Sequence, residues 1–321
     1  MTRICLSPLL AAACLLAGDT RFAPAQAVGR RMAPPPPAVH TLLTKDGVQL
    51  RITYYASTAG QQATPVVMLH DFNETRAVFN PLAQSLQNPE PPEEGPPANN
   101  VSSRAVVTVD LRGHGESKTA FVAGGGAVEL DANRFQPADY QNMVLFDLEA
   151  VRSFLVEQND AGQLNLNKLC LVGCGMGANV AVLWAAKDWS TPPLAARKQG
   201  QDVKALVLVS PRWNYHGLSM VEPLKFRPVQ QGLSVLLAYG AEDREVAEDC
   251  KNIDKIFSRY HPEPPPDQMQ ERKDYFVDAA PTTLQGTKLL TERAFGLKPT
   301  IAGFIEARLG RKEFPYFQRK Q

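Results

Sequence analysis

The sequence carries almost no excess charge of either sign. Its 34 lysines and arginines face 33 aspartates and glutamates, a formal net charge of +1. The basic residues show no clustered face and no interleaving with aromatics, so the electrostatic footprint of a nucleic-acid binder or an anionic-membrane binder is missing. Neither partner is expected. Cysteine is scarce as well. Two of the five, Cys5 and Cys14, lie in the first 27 residues, and Cys170, Cys174 and Cys250 remain. An odd number of thiols in an exported chain excludes a disulfide scaffold, and Cys170 and Cys174 sit too close along one segment for an easy bridge. There is no C-x-x-C and no His/Cys cluster at ligand spacing, so neither a metal nor a cofactor is expected.

Long apolar runs are lacking except at the start. Ile4 to Ala17 is apolar for 14 residues, short of the ~20 that span a bilayer. Met1-Thr-Arg3 precedes the run and Ala25-Gln-Ala27 follows as a small-residue cleavage site, the pattern of a secretory signal peptide over residues 1–27. The chain is therefore expected to be exported, periplasmic or secreted. A lipid anchor at Cys14 is not expected, because this cysteine lies inside the apolar run. Removing residues 1–27 takes away Arg3, Arg21 and Asp19 and leaves basic and acidic side chains in equal number.

With 44% hydrophobic and 21% charged residues, the rest has an ordinary globular balance. Residues 28–38, with Pro34 to Pro37, read as a semi-rigid linker, and residues 39–321 as the folded domain. His40–Thr44 and Val48–Tyr55 alternate around Lys45-Asp46-Gly47, a hairpin signal. The apolar runs Pro65–His70, Ala105–Asp110, Asn165–Val172, Val203–Ser210 and Leu233–Gly240 read as buried parallel strands. A last short strand is expected over Asp274–Asp278. Helices are expected over Ala77–Leu86, with Asn73 as N-cap, and over Ala138–Gln158, Asn179–Trp189, Glu245–Tyr260 and Ile301–Leu309. Asn88–Arg104, with five prolines, reads as a surface insertion outside the core, and Gly124–Gly126 as a flexible loop. Trp184 and Trp189 read as packing. Strands alternating with helices predict an α/β fold, a mainly parallel sheet covered on both faces.

Four motifs then fall in order: Leu69-His70 before a turn, Asp110-Leu-Arg-Gly-His-Gly-Glu-Ser117, Gly173-Cys-Gly-Met-Gly177 between a strand and a helix, and Tyr239-Gly-Ala-Glu-Asp243 after a strand. On these motifs the chain resembles the α/β-hydrolase superfamily from about residue 39 to its end, most closely the small bacterial serine hydrolases of esterase or lysophospholipase type. The resemblance implies the α/β-hydrolase fold. The short link from Ser210 to Leu233 leaves no room for a large lid domain. It also implies a serine nucleophile in a G-x-S-x-G elbow, followed in the chain by an acid and a histidine.

The sequence departs from that pattern where the chemistry should be. The nucleophile position is Gly175, which has no side chain. The acid position is Asp243, although this residue could equally cap the helix that follows. The histidine position, on Thr283-Leu-Gln-Gly-Thr287, is Gln285, which cannot cycle a proton. Asp71 stands where glycine is usual, beside the oxyanion hole whose donors would be the Phe72 and Met176 amides, and a carboxylate there would repel a developing oxyanion. Glycine suits the positive φ of an elbow, and Gly175→Ser is expected to cost roughly 1 kcal/mol. Cys174 is the substitute nucleophile to consider, but it lies one residue early and lacks a base. His70 and His114 are expected to hold turns, and His216 to sit in a loop. The expected protein is an exported, non-catalytic member of the fold. It would bind a small acyl or ester-like ligand in the vestigial pocket or serve as a scaffold for a protein partner. The alternative is a weak or unorthodox esterase or acyl hydrolase, working through Cys174 or through a residue that spacing does not reveal.

Overall fold

The two alternating runs around Asp46-Gly47 fold as an antiparallel hairpin of β1 (Ala38–Leu43) and β2 (Val48–Tyr55). Thr44 Oγ1 donates to Asp46 (2.6 Å) and accepts the Val48 amide (2.8 Å), which closes the turn. These contacts come from a computed structural model that describes residues 33–90, 102–122, 124–192, 194 and 198–320. The expected signal peptide, the first residues of the linker and the middle of the proline-rich insertion lie outside the described residues.

The apolar runs become β3 (Pro65–Leu69), β4 (Ala105–Val109), β7 (Leu169–Cys174), β8 (Val203–Val209), β11 (Ser234–Gly240) and β12 (Tyr275–Ala280). Between β4 and β7 a second hairpin forms from β5 (Thr119–Val122) and β6 (Gly126–Glu129). Of the flexible loop expected at Gly124–Gly126, Gly124 and Gly125 lie in its turn and Gly126 begins β6. A small ribbon, β9 (Asn214–Tyr215) with β10 (Leu218–Ser219), lies off the main sheet. The main sheet has ten strands in the order β12-β11-β8-β7-β3-β4-β2-β5-β6, with β1 also on β2. From β12 to β4 every pairing is parallel, and from β11 to β4 the strands are buried almost throughout, as a sheet covered on both faces requires, while the edge strand β12 is part-exposed.

The helices are α1 (Asn80–Gln87), α2 (Pro137–Asn142), α3 (Leu148–Asp160), α4 (Met176–Ser190), α5 (Val221–Lys225), α6 (Arg227–Gln231), α7 (Arg244–Tyr260), α8 (Met269–Arg272), α9 (Gly286–Thr291) and α10 (Leu297–Ile305). One apolar layer packs Leu171, Trp184 and Phe257 on one face of the sheet, and a second packs Val172, Phe79 and Phe304 on the other. The link from Ser210 to Leu233 holds only β9, β10, α5 and α6, so no large lid is built there.

Three local expectations change. Asn73 caps no helix: it sits at φ 60°, and the chain takes a 3-10 turn, Arg76–Phe79, before α1. The long helix expected over Ala138–Gln158 is interrupted by a wider π-helical turn, Met143–Asp147; a lapse in the 3.6 period of this kind is invisible to an apolar-spacing count. The insertion also ends before Arg104. Ser103 and Arg104 are buried, and Arg104 pairs with Glu306 (2.9 Å).

One carboxylate gives a pH prediction. Asp188, near the end of α4, accepts the Asp202 and Val203 amides (2.6 and 3.0 Å) through Oδ2, while its buried Oδ1 has no partner. Burial, with Asp202 beside it, raises its pKa from 3.8 to about 6. Between those values the folded chain keeps a proton that the unfolded chain has lost. The contribution to stability is therefore greatest below about pH 4 and falls by about 3 kcal/mol as pH rises through 6. Urea midpoints of wild type and Asp188→Asn across this range should diverge by that slope; parallel curves would contradict the assignment.

Candidate active site

β7 runs straight into α4 through Gly173-Cys-Gly-Met-Gly177, and the glycines explain the sharpness of the turn. A side chain on Gly173 would strike the backbone of Gly177 and Ala178, and one on Gly177 would strike the backbone of Leu69 and His70. The helix start can therefore press against β7 and β3. Gly175 itself sits at φ 50°, ψ −117°, in the left-handed half of the map that an elbow demands.

The Asp71 carboxylate fills the tip of this elbow. Its Oδ1 accepts the Phe72 amide (2.7 Å) and the Met176 amide (2.9 Å). These are the two donors that the sequence assigns to an oxyanion hole. Asp71 does not merely stand beside these two amides; its carboxyl group takes both of them. A Cβ added at Gly175 would fall on Asp71 Cγ and both carboxylate oxygens, and one added at Gly286 would lie 2.8 Å from Oδ2. The carboxylate thus occupies the volume of a nucleophile as well as its oxyanion site. Burial pushes the Asp71 pKa up, opposed chiefly by the two amides. Glu74 closes the far side: one oxygen accepts the Asp71 amide (3.2 Å), the other the Thr287 hydroxyl. Its pKa is also raised, by burial first and by Asp71 in addition.

Gln285 stands at the N-terminus of α9 with every polar atom engaged. Its Oε1 accepts the Ser210 hydroxyl (2.6 Å) and the Gly240 amide (3.1 Å), and its Nε2 donates to the Gly240 carbonyl (2.8 Å). Ser210 in turn accepts the Gly286 amide (2.9 Å) and is held at φ 54°. The side chain at the histidine position is therefore tied to the ends of β8 and β11. Asp243 is the N-cap of α7, accepting the Glu245 and Val246 amides (3.1 and 3.2 Å). Gly175, Asp243 and Gln285 make no relay.

The remaining candidates have structural partners. His70 is fully buried. Its Nδ1 donates to the Asp71 carbonyl (2.6 Å) and its Nε2 accepts the Leu111 amide (3.1 Å), while burial lowers its pKa to about 3. His114 Nδ1 donates to the Arg112 carbonyl (2.9 Å), and burial lowers its pKa too. His216 is exposed, at φ 47°, with its ring stacked on Tyr140. Cys174 has no exposure, and burial holds its thiol pKa well above the ordinary value, the opposite of the environment that activates a thiolate. Among the described residues no group of three His, Cys, Asp or Glu side chains could hold a metal ion, and no helix is long and apolar enough to cross a membrane.

Sequence reasoning missed Ser210 and Glu74. The hydroxyl that pins Gln285 depends on a positive φ at a non-glycine residue, which no local pattern announces. Glu74 had a faint signal, a glutamate three positions after Asp71, the spacing at which its carboxylate reaches back to the earlier amide as in a capping box.

A ten-stranded, mainly parallel sheet with a glycine elbow after its central strand defines an α/β-hydrolase-fold protein. Residues 66–309 match the alpha/beta hydrolase family, and the chain belongs to that family. Comparison with curated protein sequences gives no match. Among solved structures the chain is similar to the Pyrococcus furiosus esterase Pf2001 (14% identity, 85% of this chain and 92% of that chain, TM-score 0.56). It is also similar to DcsB in complex with its substrate analogue (14% identity, 85% and 99%, TM-score 0.55). A third similarity is to the Pyrococcus horikoshii acylaminoacyl peptidase (13% identity, 89% of this chain and 44% of that chain, TM-score 0.56). At such identities the likeness is one of fold.

Proposed function

We propose that this chain is a non-catalytic member of the family, exported, and working through binding. The observation that carries this reading is the Asp71 carboxylate, bonded to both the Phe72 and Met176 amides and filling the space above Gly175. Acyl transfer needs a nucleophile, a base and donors free to meet the oxyanion. Here the nucleophile position is glycine, the base position is a fully bonded glutamine, and the donors are spent on a resident carboxylate. The same arrangement takes the room that an acyl or ester carbonyl would need, which favours a protein scaffold over a ligand held at Gly175. Export rests on the pattern of residues 1–27; a mature N-terminus at Val28 would support it.

The competing reading, a weak acyl hydrolase, has the family behind it and Cys174 as its candidate. A fluorophosphonate probe and iodoacetamide, each applied to the native full chain, separate the two. The proposal expects no covalent adduct at any residue with the first and no alkylation of Cys174 with the second until the chain is unfolded. A single labelled residue in the native protein, with ester turnover lost on its substitution, would establish the hydrolase instead.

A further inference from the structure

A hollow among the described residues lies away from the elbow. A groove of about 520 Å³ opens between α1 and α10, at the edge of the sheet where β4 begins, whereas Gly175 follows the end of β7. That volume is within the range of small-molecule sites. Its walls are carbon-rich: Pro81 on α1, Pro299, Ala302 and Gly303 on α10, and Ala307 beyond. Among the described residues nothing lies within 4 Å of a Cβ built on Gly303.

The charges in it do not balance. Arg104 lies at its edge with a side chain only 2% exposed. Only Nη2 is bonded, to Glu306 (2.9 Å) and the Ala302 carbonyl (3.4 Å); Nε and Nη1 are buried with no partner among the described residues. A guanidinium offers five donors, and leaving buried donors unmet is costly. The carboxylate that Arg104 uses is shared: Arg311 approaches the other oxygen of Glu306 (3.8 Å), and the buried Lys168 also draws on it. Lys298 adds a further cation to the wall, against Glu90 as the second carboxylate.

We propose that this groove binds a single-chain anionic amphiphile. The carboxylate or phosphate head would meet the two accessible cations, Arg311 and Lys298, with the buried Arg104 charge behind them, and the alkyl chain would run along Pro81, Pro299, Ala302 and Gly303. An anion there would offset a cationic excess that Glu306 alone shares among Arg104, Arg311 and Lys168, and its chain would cover apolar wall that now faces solvent. The site is independent of the elbow and of whether any catalysis survives there.

Calorimetric titration of the full chain with dodecanoate, dodecyl phosphate and dodecyltrimethylammonium, each below micelle formation, tests this. The proposal expects saturable binding of one or both anions and none of the cation; the two anions distinguish a carboxylate head from a phosphate head. Gly303→Leu places an alkyl group in the groove from α10, with room at least for its Cβ, and should weaken binding by at least about tenfold. Lys298→Glu with Arg311→Glu should weaken it about tenfold to a hundredfold, the scale of one charge-assisted hydrogen bond. Both variants should melt as wild type does, so a folding defect is not the readout. No binding of either anion, equal binding of the cation, or undiminished binding by Gly303→Leu would each overturn the proposal.

Discussion

Gly175→Ser will lower stability by about 2–4 kcal/mol, and the loss will shrink to about 1 kcal/mol when Asp71→Ala is present in the same chain. The first figure joins two costs. A serine at φ 50° carries backbone strain, about 1 kcal/mol at the low end of the range for such residues. Its Cβ would also coincide with the Asp71 carboxyl group. Backbone and carboxylate cannot both stay, so the carboxylate must swing out. It then gives up its bonds to the Phe72 and Met176 amides. Hydrogen bonds to a charged group are worth about 1.5–3 kcal/mol each, of which solvent returns part. In the Asp71→Ala background those bonds are already gone and only the backbone strain remains. The coupling energy in a double-mutant cycle should therefore be on the order of 2 kcal/mol. Urea unfolding of wild type, both single variants and the double variant measures it. Additive losses would mean that Asp71 and residue 175 do not compete for one space.

The same pair explains why the sequence was legible in one respect and opaque in another. The elbow glycine and the unusual Asp71 are both visible in the chain, and each by itself reads as the loss of a function. Their relation is not visible, because 104 positions separate them and only the close approach of β3 to β7 brings them together. A substitution cost of roughly 1 kcal/mol at Gly175 follows from the turn alone; the larger figure needs the neighbour. The parallel strands were readable because burial on both faces makes each one a short apolar run. The β5–β6 hairpin was not, because its strands are short and largely exposed and the glycines at 124–126 signal a loop as readily as a turn. Asp243 was open to two readings from sequence, and its geometry is that of a cap: two backbone amides at the start of α7 take its carboxylate.

Asp147→Ala is expected to cost about 3–5 kcal/mol, and its reason bears on what the family motif is for. Asp147 is fully buried and accepts three bonds from Arg112: the backbone amide (3.1 Å), Nε (2.9 Å) and Nη2 (2.6 Å). Asp46 holds the other edge of the same guanidinium (2.7 and 3.1 Å). Removing one member of a buried pair costs about 3–5 kcal/mol; Asp46 still compensates part of the Arg112 charge, which places the loss at the low end of that range. Asp147→Asn keeps the volume and an acceptor and should cost less than the alanine. Thermal melts of the two variants give the comparison, and an alanine variant as stable as wild type would contradict it. Arg112 belongs to Asp110-Leu-Arg-Gly-His-Gly-Glu-Ser117, and its neighbours in that motif are tied in the same way. Asp110 accepts the Arg76 and Glu116 amides (2.6 and 2.9 Å), Ser117 donates to the Asp110 carbonyl (2.7 Å) and accepts the Arg51 amide (2.8 Å), and Leu111 donates to His70. Every one of these contacts holds a turn and none touches the elbow's reacting position. The motif therefore has a folding role whatever chemistry the elbow performs, and Asp147→Ala tests that role without disturbing Gly175, Asp71 or Gln285.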